Sequence, residues 1–397
     1  MYIKNKLDLA QIIGCIAIIL TFLLTGVLFL IKFAHMIFLL RLGFLLVGAV
    51  VGYIACFRKK KTRSILFFPF AFAYSWVCCY LSQGKPNCSA VDMLYTLFYV
   101  GIAVAMLYNV KYMKNISLGM AVMTMLYILY KLFIGVPFIH ILTATSQNYI
   151  SVLILFFLLL YYTSCHEANE GFFVFPSYMF FVCCLLVRGR SGIVLSAAFA
   201  IAVMVFKINM VEKKIYRNLL KVAIVIMLAV AAWYLFTIIK ERKGDLNGTA
   251  LARFTNKGTI DAERLIIWKA FFTNNLRSVS TFLWGSDTSL IREDGNLHNS
   301  FFMCYAKYGL FMFVTMLSLI AYSLILALKN KQYFMLLLFS TLLLRAFTDL
   351  IFYQGYCEMF LYYFVFYFIL NNRKERRKTK DANNRLMLCL YNTISNN

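Results

Sequence analysis

Residues 9–31 read LAQIIGCIAIILTFLLTGVLFLI and residues 36–57 read MIFLLRLGFLLVGAVVGYIACF. Each run supplies the roughly 20 apolar residues an α-helix needs to cross a bilayer core. The first is too long for a signal-peptide core and lacks a small-residue cleavage site, so it is expected to stay as an anchor. Similar runs follow at 65–81, 93–110, 116–135, 148–162, 172–187, 191–206, 222–239, 300–328, 333–347 and 356–370. The pattern predicts an all-α integral membrane protein of about twelve transmembrane helices. Composition agrees: 62% of the 397 residues are hydrophobic, 14% are charged and only 4 are proline, too much apolar surface for a water-soluble core to bury.

Lysine and arginine collect at 58–63, at 207–221 and from Arg373 to Lys380. Counting helices puts all three clusters on one side with Lys4, Lys6, Lys111, Lys114, Lys329 and Lys331, and the positive-inside rule makes that side the cytoplasm, with both termini there. The formal net charge of +24 lies mostly in these short loops, where anionic lipid accounts for it; no basic domain outside the helices suggests a nucleic-acid partner. The 11 cysteines fall mostly within helices, without the spacing of a zinc site or disulfide framework.

The chain therefore divides into helices 1–9 (1–239), a long outer loop (240–298), helices 10–12 (299–371) and a basic cytoplasmic tail (372–397). One long loop in an otherwise tightly connected bundle points to function. Within it, 259–272 reads as a helix with a Thr or Asp cap, and Leu265, Trp268 and Phe272 would share a face along the membrane surface. Arg264 stands in its first turn, against the helix dipole, which suits an anion bound at that helix end as well as a solvated or snorkelling arginine. Arg188 and Arg190 sit in a turn at the outer leaflet, where arginine faces a protein cavity or snorkels to headgroups. His298 precedes Asn299 and Ser300, either of which can cap the next helix; a helix N-terminus favours the neutral imidazole a general base requires. A loop histidine is equally read as structural. Arg345 and Asp349, spaced i and i+4, can neutralise each other, with Glu358 close by in sequence.

These residues resemble a family, the bacterial O-antigen polymerases and O-antigen ligases. LVRGRSGIVL at 186–195 is similar to the family's Ser-Arg-Gly-type turn, with Arg190 the best match to its arginine. RLIIWKA at 264–270, followed by Trp284-Gly285, resembles its Arg-x-x-x-Trp helix and glycine turn, and GNLHNSFF at 295–302, followed by Gly309, resembles its His-Asn segment. Asp287 stands where the family has a second glycine. The resemblance covers about 180–330 and implies a GT-C-like glycosyltransferase with no cofactor and no metal. Undecaprenyl-diphosphate-linked glycans would be donor and acceptor at the outer face of the cytoplasmic membrane, with a chain-length regulator and a flippase as partner proteins. It assigns His298 as catalytic base, Arg190, Arg264 and Arg188 to the diphosphate, and Asn299 and Arg345 to support. Polymerisation of repeat units is the first expectation and transfer to lipid A core the second. A lipid-linked oligosaccharide flippase is the competing class, and it would carry charged residues inside several helices.

Overall fold

The computed structural model describes residues 9–30, 35–58, 62–83, 89–137, 140–142, 148–187, 190–212, 262–291, 295–353 and 356–373, with positions 214–219, 221–222, 225–226 and 229. Among these every regular element is helical. The helices are α1 (Leu9–Leu30), α2 (His35–Arg58), α3 (Phe67–Gln83, entered through a 3-10 turn), α4 (Ala90–Asn109), α5 (Lys114–Phe133), α6 (Tyr149–Glu167), α7 (Phe175–Val187) and α8 (Arg190–Met210). After them come α9 (Ala262–Asn275), α10 (Val279–Trp284), α11 (Ser300–Lys329), α12 (Tyr333–Thr348) and α13 (358–373). Among the described residues, 8 helices are long and apolar enough to cross a membrane, and α7 and α12 are shorter apolar helices. Most of the expected span at 222–239, the loop from 240 to 261, Arg188 and the tail beyond 373 lie outside the described residues.

Two helices form the centre. In α6 the residues from Ile150 through Cys165 are all buried, and in α13 Met359 through Phe366 are at most 1% exposed. A helix apolar on every side has no polar face to give to water, so it must be surrounded by other helices. Aromatic rings lock the centre: Phe22 of α1 stacks on Phe156 of α6 at 4.3 Å, and Phe360 of α13 meets both rings edge-on at 5.5 and 5.7 Å. Around this centre α1, α2, α3 and α5 turn large apolar side chains outward, among them Ile16, Leu39, Phe70 and Met123. That is the surface lipid would cover.

α11 bends at Gly309, whose φ of 77° and ψ of 177° break the helical run. Such backbone is essentially reserved for glycine. The bend lets the end of α10 cross close by: a Cβ on Gly309 would lie 2.6 Å from the Leu283 carbonyl oxygen, and one on Gly285 would lie 2.4 Å from that of Ala306. Asp287 needs no glycine conformation, having φ −65° and accepting bonds from the amide and hydroxyl of Ser289 at 2.9 and 2.7 Å. Gly309→Ala is expected to cost at least the ~1–3 kcal/mol of such a strained residue, read as a lower midpoint in detergent-solubilised thermal unfolding. An unchanged midpoint would show that the crossing tolerates a methyl group.

Candidate functional site

One end of the bundle brings together the start of α11, the end of α12, the first turn of α9 and the first residues of α8. Asn299 is the cap of α11: its Oδ1 accepts from the Phe301 and Phe302 amides at 2.9 and 3.1 Å. Its Nδ2 donates to the Phe347 carbonyl at 3.2 Å, joining the two helix ends. Ser300 extends the join, donating to the Asp349 carbonyl at 2.8 Å and accepting from the Ile351 and Phe352 amides at 2.8 and 3.2 Å. His298 directly precedes the cap at a φ of 51°, and its amide donates to Asn296 Oδ1 at 2.8 Å.

α9 docks on this corner through Trp268, whose Nε1 donates to the Leu297 carbonyl at 2.9 Å and whose ring meets Phe302 and Phe347 at 5.4 and 5.8 Å. The expected membrane-facing stripe is thereby corrected. Leu265 and Phe272 are exposed, but Trp268 turns inward beside buried Ile267 and Phe271, because its indole N–H finds a carbonyl partner there.

The docking places Arg264 over Asp349. Three side chains, two of them from segments far away in the chain, then converge on one carboxylate. Asp349 Oδ2 lies 2.8 Å from Arg345 Nη2, while its Oδ1 is 3.9 Å from Arg264 Nη2 and 4.0 Å from His298 Nδ1. Arg345, about 1% exposed, also donates to Ser191 Oγ at 2.6 Å and to the Asn148 carbonyl at 2.8 Å. Ser191 is the neighbour of Arg190, so the first turn of α8 lies against the cluster; the Arg190 side chain and Arg188 lie outside the described residues. Burial opposes ionisation of Asp349, but the positive charge of Arg345 and the nearby His298 and Arg264 outweigh it and hold the carboxyl below its ordinary range.

Exposure separates roles within the cluster. The Arg264 and His298 side chains are 20% and 25% exposed and reachable, whereas those of Arg345 and Asp349 are 1% and 3% exposed and lie behind them. A histidine whose Nδ1 faces a buried carboxylate presents Nε2 outward, the arrangement in which an acid orients a base. Two guanidinium groups and one imidazole thus face a single carboxylate. The site can therefore attract an anion and deprotonate a hydroxyl beside it.

The pairing of Arg345 with Asp349 is present as the i, i+4 spacing suggests. Asp349 as the partner of Arg264 and His298 was not readable, since the contacts span segments far apart in the chain. Two further sets of buried polar contacts, one around Arg41 and one around Lys307, had a signal that the reading passed over: charges inside apolar runs. Lys307, 3% exposed, donates to Asp92 at 3.1 Å and to the Tyr353 carbonyl at 2.8 Å. Glu358, 1% exposed, accepts from the Tyr362 hydroxyl and the Tyr353 amide, both at 2.8 Å.

Fold and site together define a class: an all-α, multi-pass membrane protein with a cationic, histidine-bearing cluster at one end of its bundle. No family model, curated protein or solved structure matches the chain.

Proposed function

We propose that this protein is a membrane glycosyltransferase that joins lipid-linked oligosaccharide units at the outer face of the bacterial cytoplasmic membrane. About twelve spans in a GT-C-like arrangement, with both termini inside, are part of the reading. The observation that carries it is the convergence of Arg264, His298 and Arg345 on Asp349. Three residues chosen from the sequence for this chemistry thus come from separate segments to one carboxylate.

In this mechanism the acceptor hydroxyl oxygen attacks the anomeric carbon of the donor. The bond from that carbon to the diphosphate oxygen breaks, and the diphosphate leaves with the electron pair. His298 takes the hydroxyl proton on Nε2, a contribution of roughly 10²–10⁴-fold. Arg264, with Arg190 and Arg188 as the other diphosphate-binding residues, meets the charge that grows on the leaving group. Arg345 and Asn299 support: the first holds Asp349 and the start of α8, the second fixes His298 at the head of α11. A single displacement inverts the anomeric centre. Undecaprenyl-diphosphate-linked repeat units as both donor and acceptor make the enzyme a polymerase of O-antigen or capsular type; lipid A core as acceptor would make it a ligase. A chain-length regulator and a flippase are the partner proteins in the polymerase reading.

A transporter of lipid-linked oligosaccharide is the second reading, and one observation favours it: Arg41, Lys307, Arg345 and Glu358 are all buried charged residues within the helical bundle. The test is chain extension by the purified protein on synthetic undecaprenyl-diphosphate repeat units in excess chelator. Product ladders are expected to persist, because side-chain cations serve the diphosphate, and Arg264→Lys is expected to restore little, since an ammonium lacks the planar fork of guanidinium. Ladders that vanish with chelator and return with magnesium would remove the arginine-only mechanism. No ladder under any condition, with lipid crossing vesicle membranes instead, would favour the transporter.

A further inference from the structure

Arg41 lies six residues into α2 and is 1% exposed. Its Nε donates to Thr25 Oγ1 at 2.9 Å and its Nη2 to the Tyr99 hydroxyl. Its guanidinium carbon sits 4.5 Å from the centre of the Tyr356 ring, 5.7 Å from Tyr95 and 6.0 Å from Tyr99. All these partners are neutral, and among the described residues no carboxylate pairs with Arg41. The nearby acids are engaged elsewhere: Asp92, one turn before Tyr95, is bound by Lys307, and Glu358 accepts from Tyr362 and Tyr353. The Tyr95 ring lies beside this cation, and its hydroxyl is buried with no hydrogen-bond partner among the described residues.

A buried guanidinium held only by ring faces and hydroxyls, next to an orphaned hydroxyl donor, is what remains when an oxyanion is the missing partner. The cage shares no residue with the His298 cluster, and the chain from Asp349 to Tyr356 contributes to both. Asp349 opens that segment, Tyr353 receives Lys307, and Tyr356 closes over Arg41. Tyr95 and Tyr356, two of the rings over the guanidinium, are each only partly buried, so the cage reaches the surface through them.

We propose that Arg41, Tyr95, Tyr99 and Tyr356 form a second anion site, which takes the phosphate-bearing end of a second lipid-linked substrate while the His298 cluster holds the first. The site rests on the glycosyltransferase reading, because a polymerase must hold two lipid-linked diphosphates at once. Tyrosine ring faces beside the cation also suit the sugar that follows the phosphate.

The test counts farnesyl diphosphate molecules bound to the whole protein in neutral-lipid nanodiscs by native mass spectrometry and calorimetry. Wild type is expected to bind two. Tyr95→Phe removes only a hydroxyl without a partner, so a purely structural cage predicts no change; an anion site predicts one event weakened about threefold to tenfold, the value of one hydrogen bond. Arg41→Gln is expected to remove that event, and if it does not fold, Tyr95→Phe decides. Wild type binding one molecule, or Tyr95→Phe binding both as wild type does, overturns the proposal. Added phosphatidylglycerol displacing the weakened event where inorganic pyrophosphate does not would assign the cage to a headgroup and also overturn it. Arg264→Gln is the independent arm: if it leaves both events intact, the His298 cluster is not a diphosphate site and the function reading fails, while the Arg41 cage stands.

Discussion

His298→Ala is expected to abolish chain extension, lowering turnover by about 10²–10⁴-fold if the imidazole supplies general base catalysis. Folding should survive, because the side chain is 25% exposed and the cap of α11 is made by Asn299. Cells carrying the variant should accumulate single repeat units on undecaprenyl diphosphate, and an enzyme added from outside should reach them. A transport defect would instead trap the same lipid on the cytoplasmic face, out of that enzyme's reach. Normal amounts of long polymer from His298→Ala would return this histidine to a structural role at the mouth of α11. Asp349→Asn sharpens the experiment: it preserves shape but removes the charge facing Nδ1, so activity should fall with the pH profile displaced, a change a packing defect would not produce.

The largest loss of stability is expected from breaking the Arg345–Asp349 pair. Both side chains are almost fully buried, and removing either strands the other, at a cost of about 3–5 kcal/mol. Arg345→Ala should be the worse of the two, since it also releases Ser191 and the Asn148 carbonyl and so loosens α6 and α8 from α12. The double variant should lose less than the sum of the single losses, because the charge stranded by each is removed by the other. Additive losses in thermal or denaturant unfolding would mean that the pair does not act as a unit. The carboxyl of Asp349 is held below its ordinary range, so its contribution is complete above the unfolded value of about 3.9 and is lost as pH falls from there through the lower folded value. Acid should therefore narrow the gap between wild type and Asp349→Asn.

The helices were legible because lipid imposes one rule on every span, a run of apolar residues long enough to satisfy its own backbone. The expected run at 36–57 is the helix 35–58, and the expected run at 300–328 is the helix 300–329. What length cannot convey is the bend at Gly309, a matter of which backbone another helix needs to approach. The site was legible where one residue violates a local expectation: an arginine in a first turn, or a histidine before a cap. Asp349 breaks no such expectation beside Arg345, since i, i+4 pairs are common and usually local. Its reach to Arg264 depends on α9 folding back over α11, and its reach to His298 on the head of α11 meeting the end of α12, neither of which a short window of sequence contains. Trp268 misled for a related reason, as an amphipathic stripe identifies an apolar face without saying whether lipid or protein covers it.

Ser300 joins three backbone groups of the 349–352 segment to the head of α11 through bonds of 2.8 to 3.2 Å, while Arg264 and His298 stand 3.9 and 4.0 Å from Asp349. The frame is thus joined by short hydrogen bonds, and the charges mounted on it face the carboxylate at longer range. A phosphate can draw Arg264 away from the carboxylate without breaking a single bond of that frame. In the proposed reaction, loading and emptying would exchange one ionic partner for another on a stationary scaffold, so product would leave without the bundle having to reassemble between turnovers.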